Sequence, residues 1–300
     1  MSISVSNITK LYGAQKALNN VSFEVGSNEI VGFLGPNGAG KSTMMKILTC
    51  YIPPTRGSAT VCGFDVSSKS LEVRKQIGYL PEHNPLYLDM YVKEFLEFVG
   101  NVYKIKNCRE RVKEMINITG LDLEQNKKIG ALSKGYRQRV GLAQAMIHDP
   151  KVLIMDEPTT GLDPNQLEEI RALIKSLGRQ KTVMLSTHIM QEVEAICDKV
   201  IIINKGEIVA NDATANLQKN TTKQIITVEF DKEVDKQTLL SIPGIESVTH
   251  VEKNTWQLST SVKEDIRKEI FNFAVAKNLG VLTLNRVEQK MEDVFKEFTK

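Results

Sequence analysis

The glycine-rich stretch at residues 35–43 constrains the fold of this chain more than any other feature. It reads Gly-Pro-Asn-Gly-Ala-Gly-Lys-Ser-Thr and fits the phosphate-loop pattern G-x-x-x-x-G-K-[ST]. The apolar run 30–34 before it is typical of a buried parallel strand, and Met44, Ile47 and Leu48 follow at helical spacing. Strand, turn and helix in this order point several backbone N–H groups and a helix N-terminus at one anion. The sequence therefore predicts a site for a nucleoside triphosphate.

The side chains of this loop are suited to phosphate chemistry. Lys41 can reach the β- and γ-phosphates, and the Ser42 hydroxyl can ligate Mg²⁺. A glycine-rich turn without a ligand is the alternative, but the matching strand and helix on either side disfavour it. The other residues that we expect around the phosphates are Gly35, Pro36, Asn37, Gly38, Ala39, Gly40 and Thr43.

Length and composition indicate a soluble intracellular protein with one large domain or two ordinary ones. The chain has 300 residues, of which 41% are hydrophobic and 25% charged, enough for a sizeable core. No apolar run approaches the ~20 residues that cross a bilayer, and no signal peptide is visible. The net charge of +3 is too small to indicate nucleic-acid binding, and the four scattered cysteines do not predict a zinc site.

Two acids at the end of a second apolar run predict the catalytic part of the site. Asp156 and Glu157 follow the run 152–155, and ligands bind at the carboxyl ends of parallel strands. Asp156 can hold Mg²⁺ together with Ser42, and Glu157 can polarise an attacking water. Two solvated acids at the end of a strand are the alternative.

The order of the remaining elements predicts an α/β core followed by a separate small domain. Further apolar runs alternate with helices, which is typical of a parallel sheet covered by helices. After a polar boundary at 216–223, the order β-α-β-β-α-β predicts a small α+β domain of the ferredoxin-like, split-βαβ type over 221–300, with a last helix at 291–298. Residues 92–119 form a predicted helical insertion in the core, with an apolar face made of Phe95, Phe98, Val99, Val102 and Tyr103.

A second helix N-terminus suited to an anion begins at Ser133. This residue is a good N-cap, Gly135 allows close approach to the backbone, and the following residues keep helical spacing. On spacing alone, an ordinary capped helix is the favoured interpretation.

Five motifs in one order resemble the ATP-binding-cassette ATPases over residues 1–220. They are the phosphate loop, the Leu-Ser-x-Gly helix start, the strand with Asp156-Glu157, and the segments Gly161-Leu162-Asp163 and Ser186-Thr187-His188. The resemblance implies a P-loop NTPase fold with a parallel sheet, an antiparallel β subdomain and a helical subdomain at about 85–148. It also implies ATP and Mg²⁺ as ligands and a head-to-tail homodimer. In that dimer, ATP lies between the phosphate loop of one subunit and Ser133 and Gly135 of the other.

The resemblance also implies roles for four further residues. His188 would contact the γ-phosphate and help to hold the water, and Asp163 would lie at the dimer interface. Tyr12 would stack on adenine, a contact worth ~1–3 kcal/mol. Glu82 stands where the family has a glutamine that touches Mg²⁺, and a carboxylate can also ligate this metal. The alternatives are a surface histidine for His188, a packed tyrosine for Tyr12 and a solvated loop acid for Glu82.

Finer features resemble the drug- and polysaccharide-export branch of this family. They are residues 81–87, the sequence Leu-Ser-Lys-Gly-Tyr-Arg-Gln-Arg and the C-terminal extension; within the branch, the chain resembles the ATP-binding subunit associated with gliding motility. This resemblance implies an ATPase with a multispanning membrane permease as partner, located at the cytoplasmic, inner face of the cell membrane, with no nucleic-acid partner. A soluble cassette that acts on DNA or ribosomes is the alternative, but such chains carry a long coiled coil or tandem cassettes. A regulatory module without turnover is disfavoured because Glu157 and His188 are both present.

Overall fold

A computed structural model describes residues 1–219, 224–262 and 265–287 of the chain. The chain divides into two units, Met1–Thr214 and a part that begins at Ala215, and the predicted boundary lies next to this division. The helix predicted at 291–298 lies outside the described residues.

The first unit combines two sheets with helices on both sides of the larger one. Its strands are β1 (Ile3–Tyr12), β2 (Gln15–Val25), β3 (Ile30–Leu34), β4 (Arg56–Val61), β5 (Phe64–Asp65), β6 (Ile77–Leu80), β7 (Val152–Asp156), β8 (Thr182–Thr187), β9 (Lys199–Asn204) and β10 (Glu207–Ala213). Its helices are α1 (Lys41–Leu48), α2 (Ser70–Gln76), α3 (Val92–Val102), α4 (Cys108–Ile118), α5 (Lys134–Met146), α6 (Pro164–Gly178) and α7 (Met190–Ile196), and α8 (Thr214–Lys219) follows β10.

The larger sheet positions the predicted site residues. Its order is β10-β9-β3-β8-β7-β6, in which the strands from β9 to β6 are parallel and β10 is antiparallel. All residues of β3 and β7 are buried, as expected for parallel strands that are covered on both faces. Since β3, β8 and β7 are neighbours, the residues that follow their carboxyl ends lie at one edge of the sheet. The predicted α/β core is therefore confirmed.

The smaller sheet is antiparallel and has the order β2-β1-β4-β5. It shares an apolar core with the larger sheet and with α1. Met44, Met45, Ile47 and Leu48 of α1 are completely buried in this core, and each such side chain contributes roughly 1.5–3 kcal/mol. Packing therefore fixes the start of α1, which carries Lys41, at the end of β3.

The predicted apolar face of α3 is only partly correct. Phe95 and Val99 are buried together with Leu96, but Phe98 and Val102 are 46% and 65% exposed. The buried residues face α4 and α5, whereas 98 and 102 are four residues apart and lie on the neighbouring stripe of the helix. An exposed apolar stripe therefore remains on α3.

The ring of His148 anchors the C-terminal end of α5. It stacks on Tyr103 with centroids 4.1 Å apart, and its Nε2 lies 3.0 Å from the carbonyl oxygen of the first residue of β6. Its Nδ1 is buried, and no group in the described part of the chain hydrogen-bonds to it. Burial lowers the pKa of His148 below its ordinary value, and the charges of Lys181 and Arg111 act in the same direction, whereas the carbonyl and Asp149 oppose them.

The stability of the protein is expected to fall as the pH drops below about 6.5, the pKa of histidine in an unfolded chain. Because the pKa of His148 is lowered in the folded state, the unfolded chain binds more protons between the two pKa values. The free energy of unfolding therefore decreases as the pH falls from the unfolded-state pKa to the folded-state pKa of His148. Above the unfolded-state pKa, the full contribution of His148 to stability is retained. Denaturant titrations of wild type and His148→Gln from neutral to mildly acidic pH check this. The decrease should be shallower in the variant, and equal slopes would contradict the prediction.

The second unit has the predicted β-α-β-β-α-β order. Its elements are β11 (Gln224–Phe230), α9 (Lys236–Leu240), β12 (Ser247–Glu252), β13 (Thr255–Thr260), α10 (Arg267–Ala276) and β14 (Val281–Val287). The sheet is antiparallel with the order β12-β13-β11-β14. The strand β13 lies between β11 and β12, the two strands that α9 connects, as expected for a split βαβ unit. Phe230, Leu239, Leu258 and Ile270 are completely buried in its core.

Candidate active site

A cavity of about 580 Å³ opens at the edge of the larger sheet where β3, β7 and β8 end. Its lining combines the loop after β3 with residues that follow β7 and β8. The structure thus brings the phosphate loop together with Tyr12, Glu82, Glu157 and His188. The lining residues are Tyr12, Gln15, Ala17, Asn37, Gly38, Gly40, Lys41, Ser42, Thr43, Glu82, Glu157, Thr160 and His188.

Two glycines allow the loop to turn tightly against the core. Gly40 has a φ of +110°, which residues with a side chain rarely adopt. A Cβ at Gly40 would also lie 2.6 Å from the carbonyl oxygen of Ala17, and one at Gly35 would lie 2.4 Å from that of Ile203. The loop therefore requires glycine at both positions.

The ammonium group of Lys41 lies between the loop and an acid. Its Nζ donates hydrogen bonds to the carbonyl oxygens of Gly35 at 2.8 Å and Pro36 at 3.3 Å, and it lies 3.5 Å from Glu157 Oε1. Both charged side chains are buried, and a buried charge is costly unless it is paired. The ion pair between Lys41 and Glu157 therefore offsets the cost of burying both charges.

Glu157 contacts three further residues at the end of β7. Its carboxylate accepts a hydrogen bond from Thr160 Oγ1 at 3.2 Å and lies 2.9 Å from His188 Nδ1. Its backbone has a φ of +50°, which is strained for a residue with a side chain. Its N–H donates to the hydroxyl of Ser186 at 3.0 Å. These contacts orient the carboxylate toward both Lys41 and His188.

The side chains around Asp156 fit a magnesium ion. Ser42 Oγ donates to Asp156 Oδ1 at 3.2 Å, and Glu82 lines the same cavity. A hydroxyl and carboxylates are oxygen ligands of the kind that Mg²⁺ takes. Because Mg²⁺ usually keeps several waters and substrate phosphates as ligands, two or three protein oxygens are enough.

The sequence does not reveal two buried polar side chains behind the cavity. Ser186 donates a hydrogen bond to Asp156 Oδ1. Glu192 accepts hydrogen bonds from the hydroxyls of Thr159 and Thr187. Ser186 and Glu192 are both completely buried. A serine directly after the apolar residues 183–185 of β8 is a signal that could have indicated Ser186, whereas Glu192 resembles an ordinary polar position of a helix.

A second group of predicted residues lies outside the cavity lining. Ser133 is the N-cap of α5, and its hydroxyl accepts the N–H of Tyr136 at 3.3 Å. Asp163 is the N-cap of α6 and accepts the N–H of Gln166 at 2.9 Å. The amide of Gln166 lies 3.5 Å from Ser133 Oγ, and a Cβ at Gly135 would meet the same side chain at 2.5 Å. Ser133, Gly135 and Asp163 therefore form one cluster around Gln166.

The ring of Tyr12 lines the cavity and is 48% exposed. Lys10 Nζ lies 5.3 Å from its centroid. An aromatic face that is not packed inside the core is available for stacking on a base.

Known proteins resemble the chain over most of its length. The family model described as "ABC transporter" matches residues 18–160. The uncharacterized ABC transporter ATP-binding protein YxlF of Bacillus subtilis (strain 168) is 33% identical over 296 residues, which are 98% of each chain. The linearmycin resistance ATP-binding protein LnrL of the same strain is 31% identical over 305 residues, covering 99% of this chain and 98% of LnrL. The Nod factor export ATP-binding protein I of Rhizobium sp. (strain N33) is 32% identical over 303 residues, covering 100% of this chain and 97% of that protein.

Solved structures of similar proteins share the fold over 70–73% of this chain. A dimeric post-hydrolysis structure of the ATP-binding cassette MJ0796 with ADP and Pi has a TM-score of 0.65 and 28% identity, covering 70% of this chain and 98% of that one. A structure of an ATP-binding subunit of an ABC transporter has a TM-score of 0.66 and 27% identity, covering 73% and 92%. The predicted cassette fold is confirmed by these matches.

Proposed function

Since the chain belongs to the family of ABC transporter ATP-binding subunits, we propose that it hydrolyses ATP to drive a membrane transporter of the export type. The observation that carries this proposal is the cavity in which Lys41, Glu157 and His188 meet. The names of two relatives, which refer to Nod factor export and linearmycin resistance, support the export type.

Binding of the triphosphate begins at the phosphate loop. Its backbone N–H groups and the N-terminus of α1 stabilise the negative phosphates, and Lys41 turns from Glu157 toward the β- and γ-phosphates. Tyr12 stacks on the adenine. Ser42 and Asp156, with Glu82, would hold Mg²⁺, which when bound neutralises phosphate charge.

Hydrolysis requires a base next to the γ-phosphate. Once Lys41 is paired with phosphate, Glu157 is released from its ion pair and accepts the proton of the attacking water. The water oxygen bonds to the γ-phosphorus while the bond to the leaving oxygen of ADP breaks, which yields ADP and phosphate. His188 holds the carboxylate of Glu157 through Nδ1 and contacts the γ-phosphate through its other ring nitrogen.

A second copy of the chain completes each site in this proposal. Ser133, Gly135 and Asp163 lie outside the cavity lining, and in this proposal another subunit brings them to the phosphates. The Ser133 hydroxyl and the N-terminus of α5 are suited to the γ-phosphate. The related cassette MJ0796 is dimeric, which supports a homodimer. Two copies would pair head to tail, close around two ATP molecules and reopen after hydrolysis.

No helix within residues 1–219, 224–262 and 265–287 is long and apolar enough to span a membrane.

The exposed stripe on α3 is our proposed docking surface for a multispanning permease. Phe98 and Val102 are exposed on it, and the half-exposed ring of Tyr87 lies 5.9 Å from the ring of Phe98. Exposed apolar side chains grouped in this way are typical of interaction sites. The permease would hold the protein at the inner face of the cell membrane.

Replacing Phe98 and Val102 together by Ser is expected to weaken permease binding by at least about tenfold. These exposed side chains would become buried in the complex, and a few such buried residues carry most of the binding energy of an interface. The measurement is the amount of a multispanning membrane protein that copurifies with the chain from native membranes. Leu71→Ser, which changes an exposed apolar residue of α2, is the control. If wild type recovers no membrane protein, the transporter function is wrong. If the double variant recovers as much as wild type, only the docking surface is wrong.

The finer assignment to a gliding-motility transporter is a resemblance within the export branch, which is itself indicated by residues 81–87, the sequence Leu-Ser-Lys-Gly-Tyr-Arg-Gln-Arg and the C-terminal extension. Loss of gliding after deletion of the gene from a gliding host, restored by the wild-type chain, would support it. Unchanged gliding would remove it. A soluble cassette that acts on DNA or ribosomes is not favoured, because the relatives are named as transporter subunits.

A further inference from the structure

Ser186 links the two acids of the proposed site. It is completely buried in β8, and the register of the sheet places it opposite Asp156 of β7. Its hydroxyl donates to Asp156 Oδ1 and accepts the backbone N–H of Glu157. One side chain thus contacts both the metal-binding acid and the backbone of the base.

We propose that Ser186 is a positioning residue that orients Asp156 for Mg²⁺ and Glu157 for the attack of water, an inference that rests on the proposed function. The hydroxyls of Ser42 and Ser186 both donate to Oδ1 of Asp156, which fixes this oxygen and the plane of the carboxylate. Partners of this kind orient the ligands of a metal, and their loss weakens metal binding.

The second hydrogen bond of Ser186 acts on the base. The N–H of Glu157 has two acceptors, Ser186 Oγ at 3.0 Å and the carbonyl oxygen of the same serine at 3.2 Å. Together they hold Glu157 at its unfavourable φ of +50°, which in turn aims the carboxylate at Lys41 and His188. Without the Ser186 hydroxyl, the N–H of Glu157 keeps only the carbonyl oxygen of residue 186 from this pair of acceptors.

Thr182 distinguishes positioning from simple stabilisation of the strand. It lies at the opposite end of β8, is equally buried, and its hydroxyl lies 2.8 Å from that of Ser2. It does not line the cavity. Thr182→Val therefore removes a buried hydroxyl from the same strand without altering Asp156 or Glu157.

The test measures Mn²⁺ binding, by electron paramagnetic resonance with a non-hydrolysable ATP analogue, in wild type, Ser186→Ala, Ser186→Thr and Thr182→Val. Ser186→Ala should bind Mn²⁺ about 10- to 100-fold more weakly and should hydrolyse ATP more slowly even at saturating metal. Ser186→Thr keeps the hydroxyl and should recover much of the affinity. Thr182→Val should lower the melting temperature but leave Mn²⁺ affinity unchanged.

Unchanged Mn²⁺ affinity in Ser186→Ala, with a wild type that binds and hydrolyses normally, overturns this inference alone. A wild type that binds no Mn²⁺ with the nucleotide overturns the proposed function itself. If Ser186→Ala does not fold, Ser186→Cys replaces it, because a thiol is a weak donor of similar size. Weaker Mn²⁺ binding in Ser186→Cys than in Ser186→Thr then supports the inference, and equal binding overturns it.

Discussion

Replacing Glu157 by Gln is expected to stop ATP turnover while ATP binding is retained. Glutamine has the same shape but cannot accept the proton of the attacking water, and general-base catalysis contributes roughly 10²–10⁴-fold. The variant also removes a negative charge that lies 3.5 Å from Nζ of Lys41, the residue proposed to bind the phosphates, so the affinity for ATP should not fall. Bound ATP would then keep the two subunits together, and closed dimers should accumulate.

Two measurements check this expectation for Glu157→Gln. Phosphate release reports turnover, and light scattering after size-exclusion chromatography with ATP reports the dimer. Glu168→Gln is the matched control, because Glu168 is exposed on α6 and pairs with Arg171 outside the cavity. Hydrolysis by Glu157→Gln at a near wild-type rate would show that another group is the base. A slow variant that stays monomeric with ATP would contradict the trapped dimer alone.

Replacing Lys41 by Ala should strongly weaken triphosphate binding. Hydrogen bonds to charged groups contribute about 1.5–3 kcal/mol, so the loss of this ammonium corresponds to roughly tenfold to a hundredfold in affinity. The change also leaves the buried carboxylate of Glu157 without its lysine partner, so some loss of stability is expected. Titration of a fluorescent ATP analogue measures the first effect, and thermal denaturation measures the second.

Lys46→Ala is the control for Lys41→Ala, because Lys46 lies in the last turn of the same helix and is exposed. It should bind the analogue like wild type. Unchanged affinity in Lys41→Ala would remove the proposed role of this lysine at the phosphates. Equal losses in both variants would point to damage to α1 rather than to a lost phosphate contact.

The sequence predicts the positions of the site residues because they follow strands that are easily recognised. The apolar runs that end before Gly35 and Asp156 are short, continuous and buried, and parallel strands place their carboxyl ends together. The strand that precedes His188, β8, lies between β3 and β7 in the sheet. Local pattern and general topology therefore predict that Lys41 and the pair Asp156-Glu157 lie at one edge of the sheet, whereas the role of His188 is implied only by the family resemblance.

Contacts that depend on register and packing could not be predicted in the same way. Ser186 reaches Asp156 because the two residues are opposite each other in neighbouring strands, and a sequence does not specify this pairing. The exposed face of α3 could not be predicted either, because it depends on how the neighbouring helices pack. Phe98 is as apolar as Phe95, and only the direction from which α4 and α5 approach decides which ring is buried.

The position of the Ser133 cluster outside the cavity that holds Lys41 has a genetic consequence. In a head-to-tail pair, each site would take its phosphate loop from one chain and its Ser133 from the other. An allele defective at Lys41 and an allele defective at Ser133, each inactive alone, would then form a mixed assembly with one intact site. Two alleles with the same defect would not restore any site. Complementation between alleles would therefore reveal which residues of this chain act together and which act across the pair.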